Sequence, residues 1–212
     1  MNIKIAALLL LALCAQPAWS QSYPSPTPVA KPAEAAAITT RMALRDLWVE
    51  HIFWVRSYAV ANQAGNAKQA EVAAKEVVAD ATKIANSIAP LYGQPAADQL
   101  LKLLAGHWGA IKHYSDATVG KDKKGQQAAV DELTGNAKAI AAFLAKANPN
   151  LPEPTLLTLL SAHGGHHVAQ IDQLAAADYA GEARTWAMMR EHILTLSDAL
   201  AAALVKQFPD KF

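Results

Sequence analysis

The chain has 212 residues, about half of them apolar, with 19 Lys and Arg against 18 Asp and Glu; this is enough for one domain with a real core. The charges are balanced and interspersed, which excludes the basic footprint of a nucleic-acid or anionic-membrane binder. Ala and Leu dominate, aromatics are few and β-branched runs are almost absent, so the composition favours helix over sheet.

Residues 1–20 read as a secretory signal. Lys4 is the positive n-region, Ile5 to Cys14 the apolar h-region, and Ala18-Trp19-Ser20 the small-x-small cleavage pattern. A lipoprotein signal ending at Cys14 is disfavoured, because Leu13 stands where such signals want a small residue. The expectation is a periplasmic or secreted protein with no integral membrane segment after cleavage. Cleavage near Ser20 would remove the single cysteine, and with it any disulfide, thiolate metal site, covalent c-type haem or cysteine nucleophile. Residues 21–35 are Pro- and Ser-rich and read as an extended tether.

Helical periodicity then runs from Ala36 to about Phe208, giving a bundle domain over 36–212. Breakers cut it into six segments. They fall at Gln63-Ala64-Gly65-Asn66, at Pro90-Leu91-Tyr92-Gly93, at Gly120 to Gly125, at Asn148 to Pro152 and at Tyr179-Ala180-Gly181. Pro95 and Pro154 open the third and fifth segments at a favoured first-turn position. Long helices joined by short loops predict an all-α, antiparallel up-and-down bundle of about six helices.

An internal repeat organises those helices into three hairpins. Leu100-Leu101-Lys102-Leu103-Leu104-Ala105-Gly106-His107 matches Leu156-Leu157-Thr158-Leu159-Leu160-Ser161-Ala162-His163 at an offset of 56 residues, and a further step back reaches His51. In the second helix of each hairpin the same offset links Asp80, Asn136 and His192, each followed four residues on by an aliphatic residue, Ile84, Ile140 or Leu196. Their distances from the turns put all six side chains within about a turn of one level, at ~1.5 Å rise per residue.

The first helices also face the same way. Leu44, Trp48, His51, Val55 and Tyr58 make one apolar stripe, and Leu100, Leu104, His107, Ile111 and Tyr114 another. In the fifth helix the stripe is Leu156, Leu160, His163, His167 and Gln170, so His167 replaces an aliphatic residue. The pattern predicts a polar layer inside an apolar bundle.

Burying imidazoles, carboxamides and carboxylates costs several kcal/mol unless they pair or bind something. Two readings of the layer stand side by side. In one, Asp80 and Asn136 close a hydrogen-bond network with the histidines and fix helix register. In the other, His51, His107, His163, His167 and His192 are metal ligands, with Asp80, Asn136, Met188, Glu50 and Glu191 as outer partners. His163 and His167, one turn apart on one face, suit capture of a transition ion. Imidazole with carboxylate suits zinc or iron, and a thioether from Met188 beside His167 would tilt the choice to copper. A haem or small-ligand pocket between the hairpins, walled by Trp48 and Trp108, is a third reading. His113 falls on the outer surface, and His166 flanks the stripe. No phosphate loop, nucleophile elbow or His-Glu-x-x-His motif occurs, so an enzyme has least support. The protein partner is unassigned.

The pieces LRDLWVEHIFWVRSY, ANSIAPLYG, AFLAKANPN and REHILTLSDAL resemble an uncharacterised family of exported bacterial all-helical proteins with acidic-His-aliphatic triplets in four helices. The resemblance spans about Ala43 to Phe212. Two triplets are complete, Glu50-His51-Ile52 and Glu191-His192-Ile193. Gly106-His107-Trp108 and Ala162-His163-Gly164 keep only the histidine, which weakens any role needing an acid beside each imidazole. Some relatives bear a glycosyltransferase name, for which this chain shows no nucleotide-sugar domain or parallel-sheet pattern. The layout is also similar to haemerythrin-type di-iron bundles, but Ile111 stands where their glutamate would be and Asp198 lies six residues after His192. This reads as convergent architecture.

Overall fold

The computed structural model describes residues 32–212, so the expected signal segment and all but the last four residues of the expected tether lie outside it. Six long α-helices and one short one account for nearly all of the described chain. They are α1 (Pro32–Gln63), α2 (Ala67–Ser87), the single turn α3 (Ala89–Tyr92), α4 (Gln94–Val119), α5 (Lys123–Ala147), α6 (Glu153–Ala175) and α7 (Tyr179–Gln207). A 3₁₀ turn, Pro209–Lys211, follows.

The last break falls at 176–178 and not at Tyr179-Ala180-Gly181, which form the first turn of α7 because Asp178 caps it. The other breakers lie where expected, and the helix starts are set by identifiable chemistry. Asn66, Asp122 and Asp178 cap α2, α5 and α7 by accepting from backbone N–H groups of the first turn. Gly65 takes the left-handed φ of +71° that the α1–α2 turn needs. α1 starts four residues before the expected Ala36, at Pro32, because proline lacks only an N–H that a first turn leaves unpaired anyway.

Sequential helices pack as neighbours, and α7 closes back on α1, which gives a ring α1–α2–α4–α5–α6–α7. The first helices of the three hairpins, α1, α4 and α6, also touch one another pairwise across the middle. They form an inner triangle, while α2, α5 and α7 fill the gaps between its edges. Contacts recur at the 56-residue offset seen in the sequence. The Tyr58 hydroxyl donates to Asp116 at 2.8 Å and the Tyr114 hydroxyl to Asp172 at 2.9 Å.

Two larger apolar clusters, with a smaller one around Tyr58 and Ala73, fill the interior. One contains Leu44, Trp48, Ile52, Leu100, Leu104, Leu156, Leu160 and Ile193. The other contains Val55, Ile111, Tyr114, Leu133 and Ile171. The histidine positions fall between them along each first helix. Among the described residues, no helix is long and apolar enough to cross a membrane.

Candidate metal centre

The inner triangle brings four imidazoles to one point. His51 comes from α1, His107 from α4, and His163 and His167 from successive turns of α6. All four are buried, at 3, 7, 2 and 2% exposure. One nitrogen from each lies within 4.8 Å of the nitrogens offered by the other three. The six ring-to-ring centroid distances range from 4.6 to 6.0 Å. Four imidazoles at ~2.0–2.1 Å around one tetrahedral ion would place their rings about 5 Å apart and their nitrogens about 3.3 Å apart. The rings are already near that spacing, and small rotations would bring the nitrogens in. Four histidines so arranged can hold a metal ion.

The charge state suits that role. Burial, with His107 nearby, drops His51 to a pKa of about 3, and burial drops His107 to about 4. Burial and the neighbouring rings push His163 and His167 well below the ordinary imidazole value. All four are therefore neutral at pH 7, the form that donates a lone pair without first losing a proton.

Hydrogen bonding within the layer is sparse. His163 and His167 face each other through Nε2 at 3.2 Å. Both nitrogens of His51, Nε2 of His107, Nδ1 of His163 and both oxygens of Asp80 are buried without a hydrogen-bond partner. Each such group costs about 1–3 kcal/mol of desolvation. The Asp80 carboxyl lies 4.0 Å from His51 Nδ1, too far for a hydrogen bond. Burial, with Glu50 adding and Lys83 opposing, raises the Asp80 pKa to about 7.

The other expected members stand apart from the cluster. His192 lies on α7, outside the inner triangle, and its Nε2 donates to the Leu159 carbonyl at 2.9 Å. Asn136 makes the corresponding bond one repeat earlier, from Nδ2 to the Leu103 carbonyl at 2.8 Å. Asn136 was expected to pair with histidines, but it reaches the backbone first because Gly106 leaves no Cβ in its way; a Cβ there would sit 2.9 Å from Nδ2. Met188 was expected beside His167, yet it is 52% exposed, because the neighbouring Met189 takes the inward face of α7. Glu50 pairs with Lys83 at 2.8 Å, and Glu191 is exposed. Asp198 forms a two-pronged ion pair with Arg45. Trp48 packs edge-on against His51, whereas Trp108 packs edge-on against Tyr58 in the other half of the bundle.

One buried constellation has no signal in the sequence. Arg56 donates two bonds of 2.6 Å to Glu182, which also accepts from Gln170 at 2.9 Å. Burial pushes Glu182 up, but the Arg56 and Gln170 hydrogen bonds outweigh it and hold the carboxyl below its usual pKa. Glu182 reads as an ordinary acid in the first turn of α7, and nothing in its spacing announces a partner 126 residues away. On the opposite side of the cluster, an apolar cavity of about 60 Å³ runs past Leu44, Leu100, Leu160 and Leu196 and ends on His51, His107 and His163.

Fold and site together define a six-helix bundle with a buried four-histidine centre. Comparison with family models, with curated proteins and with solved structures gives no match, so the functional reading rests on this geometry.

Proposed function

We propose that the protein is an exported metal-binding bundle that holds one transition-metal ion on His51, His107, His163 and His167. The observation that carries the reading is four buried, neutral imidazoles with ligand atoms within 4.8 Å of one another. A register network would satisfy its own polar atoms, whereas four of the eight nitrogens here are buried with no protein partner. An all-imidazole set suits zinc, copper or iron, and the outward-turned Met188 adds no preference for copper. Four protein ligands complete a tetrahedron and leave no open position for a reacting water, so the role is metal handling or sensing rather than turnover. The signal-like segment 1–20 supports placement in the periplasm or outside the cell.

The test is elemental analysis of untagged protein, wild type beside His163→Ala/His167→Ala. One equivalent in the wild type and none in the variant is expected. Equal, substoichiometric metal in both would sink the proposal. The cavity ending on three of the histidines favours a second reading, a pocket for a small apolar ligand. Under that reading, xenon would shift NMR signals of Leu100 and Leu160 in the metal-free protein, and a metal-independent shift would support it.

A further inference from the structure

The third hairpin carries three histidines that the other two lack. At the 56-residue offset, His166 corresponds to Ala110 and Trp54, His167 to Ile111 and Val55, and His192 to Asn136 and Asp80. His167 joins the buried cluster. His166 and His192 are partly exposed and meet each other, ring to ring, at 5.4 Å. The His192 ring in turn stacks on that of His163 at 6.3 Å, and His163 lies 4.6 Å from His167. Imidazoles thus follow one another, with ring centres 4.6 to 6.3 Å apart, from a partly exposed edge of the α6–α7 hairpin to the centre of the bundle.

The hydrogen bond of His192 decides what its ring offers. A carbonyl only accepts, so Nε2 carries the proton donated to Leu159. Nδ1 is then the nitrogen left to offer a lone pair. Anchoring one ring nitrogen on a backbone carbonyl while the other binds is how ligating histidines are oriented. Asn136 shows that a plain amide donor to the carbonyl four residues before the cluster histidine can fill this position. The bond itself asks only for an N–H, and histidine adds a ligand atom beside a second imidazole. The two departures from the repeat fall on side chains that touch each other.

We infer that His166 and His192 form a second metal site, a partly exposed imidazole pair that captures a borderline divalent ion and passes it to the buried four-histidine centre. This rests on the buried centre being a metal site. Two imidazoles completed by solvent bind such an ion weakly and exchange it readily. Four imidazoles hold it firmly but lie behind packed helices. A weak outer pair in line with a strong inner set gives the ion a route that avoids opening the bundle.

His166→Ala takes the residue of the earlier copy, Ala110, and His192→Gln keeps an amide donor for the Leu159 carbonyl on a side chain long enough to pass Ala162, which stands where Asn136 meets Gly106. Untagged metal-free protein is mixed with Co²⁺ in a stopped-flow instrument. Visible ligand-field absorption is followed, since Co²⁺ absorbs strongly in a tetrahedral four-nitrogen site and weakly when mostly hydrated. With melting temperatures matched to wild type, the double variant should load at least tenfold more slowly and reach the same final absorbance. Equal loading rates would overturn the capture role alone, as would a lost final absorbance, which would make the pair part of the inner site's support. No absorbance in the wild type would overturn the buried centre and the capture role together.

Discussion

Acidifying the metal-free protein should unfold it steeply, because the native state refuses protons that the unfolded chain accepts. Unfolded histidine titrates near ~6.5. In the fold His51 sits at about 3 and His107 at about 4, with His163 and His167 also well below normal. Between those values and ~6.5 the unfolded chain binds more protons, so stability is greatest above ~6.5 and falls with pH. Asp80 acts oppositely: its folded value of about 7 lets the native state hold one proton that the unfolded chain releases above ~3.9. Near pH 5 the balance is about three protons, or roughly 4 kcal/mol per pH unit. An ordinary domain has a margin of about 5–15 kcal/mol, so it would be exhausted within a few pH units. Urea unfolding followed by far-UV circular dichroism, with chelator present, at intervals from pH 7.5 to 4.5 measures the slope. A slope below about 1 kcal/mol per unit between pH 6 and 5 would refute the reasoning, because it would mean that the imidazoles titrate freely in the folded protein.

Asp80→Asn should stabilise the metal-free protein by about 2 kcal/mol or more at pH 8, where the buried carboxyl is ionised, and by much less at pH 5, where it is protonated. Equal gains in thermal melts at the two pH values would contradict the raised pKa. Glu182→Gln leaves Arg56 and Gln170 facing a neutral amide and should cost about 2–3 kcal/mol, the low end for a broken buried pair because Arg56 is 34% exposed. Denaturant midpoints measure it, and no change would show that the pair carries no stability. Gly109→Ala meets nothing within 4 Å and should gain about 0.5–1 kcal/mol of helix propensity. Gly106→Ala should gain less or lose stability, because its Cβ would displace the Asn136 amide from Leu103. Equal gains would rule out a stabilising role for that bond.

The repeat shows why part of the site is legible in a linear reading. Leu44, Trp48, His51 and Val55 lie on one helical stripe, and the same spacing recurs around His107 and His163, so an inward polar layer follows from periodicity alone. His167 is visible in the same way, as a histidine where Val55 and Ile111 stand in the other copies. Met188 misled because three- and four-residue spacings both suggest a shared face. The inward face of α7 runs through Met189, Ile193 and Leu196, which leaves Met188 in solvent. The Arg56–Glu182 pair was invisible for a simpler reason: ion pairs between distant helices leave no period in a sequence.

The sequence by itself determined the six long helices, all their breaks but the last, the level of the polar layer and the inward direction of the first-helix histidines. Only the tertiary structure decided which helices form the inner triangle. Because α1, α4 and α6 touch across the axis, the histidines of first helices converge within reach of one ion. Because α7 sits between α6 and α1 in the outer ring, His192 meets a backbone carbonyl instead. Periodicity fixes the face a side chain occupies, but the distance from that face to the axis depends on how whole helices pack.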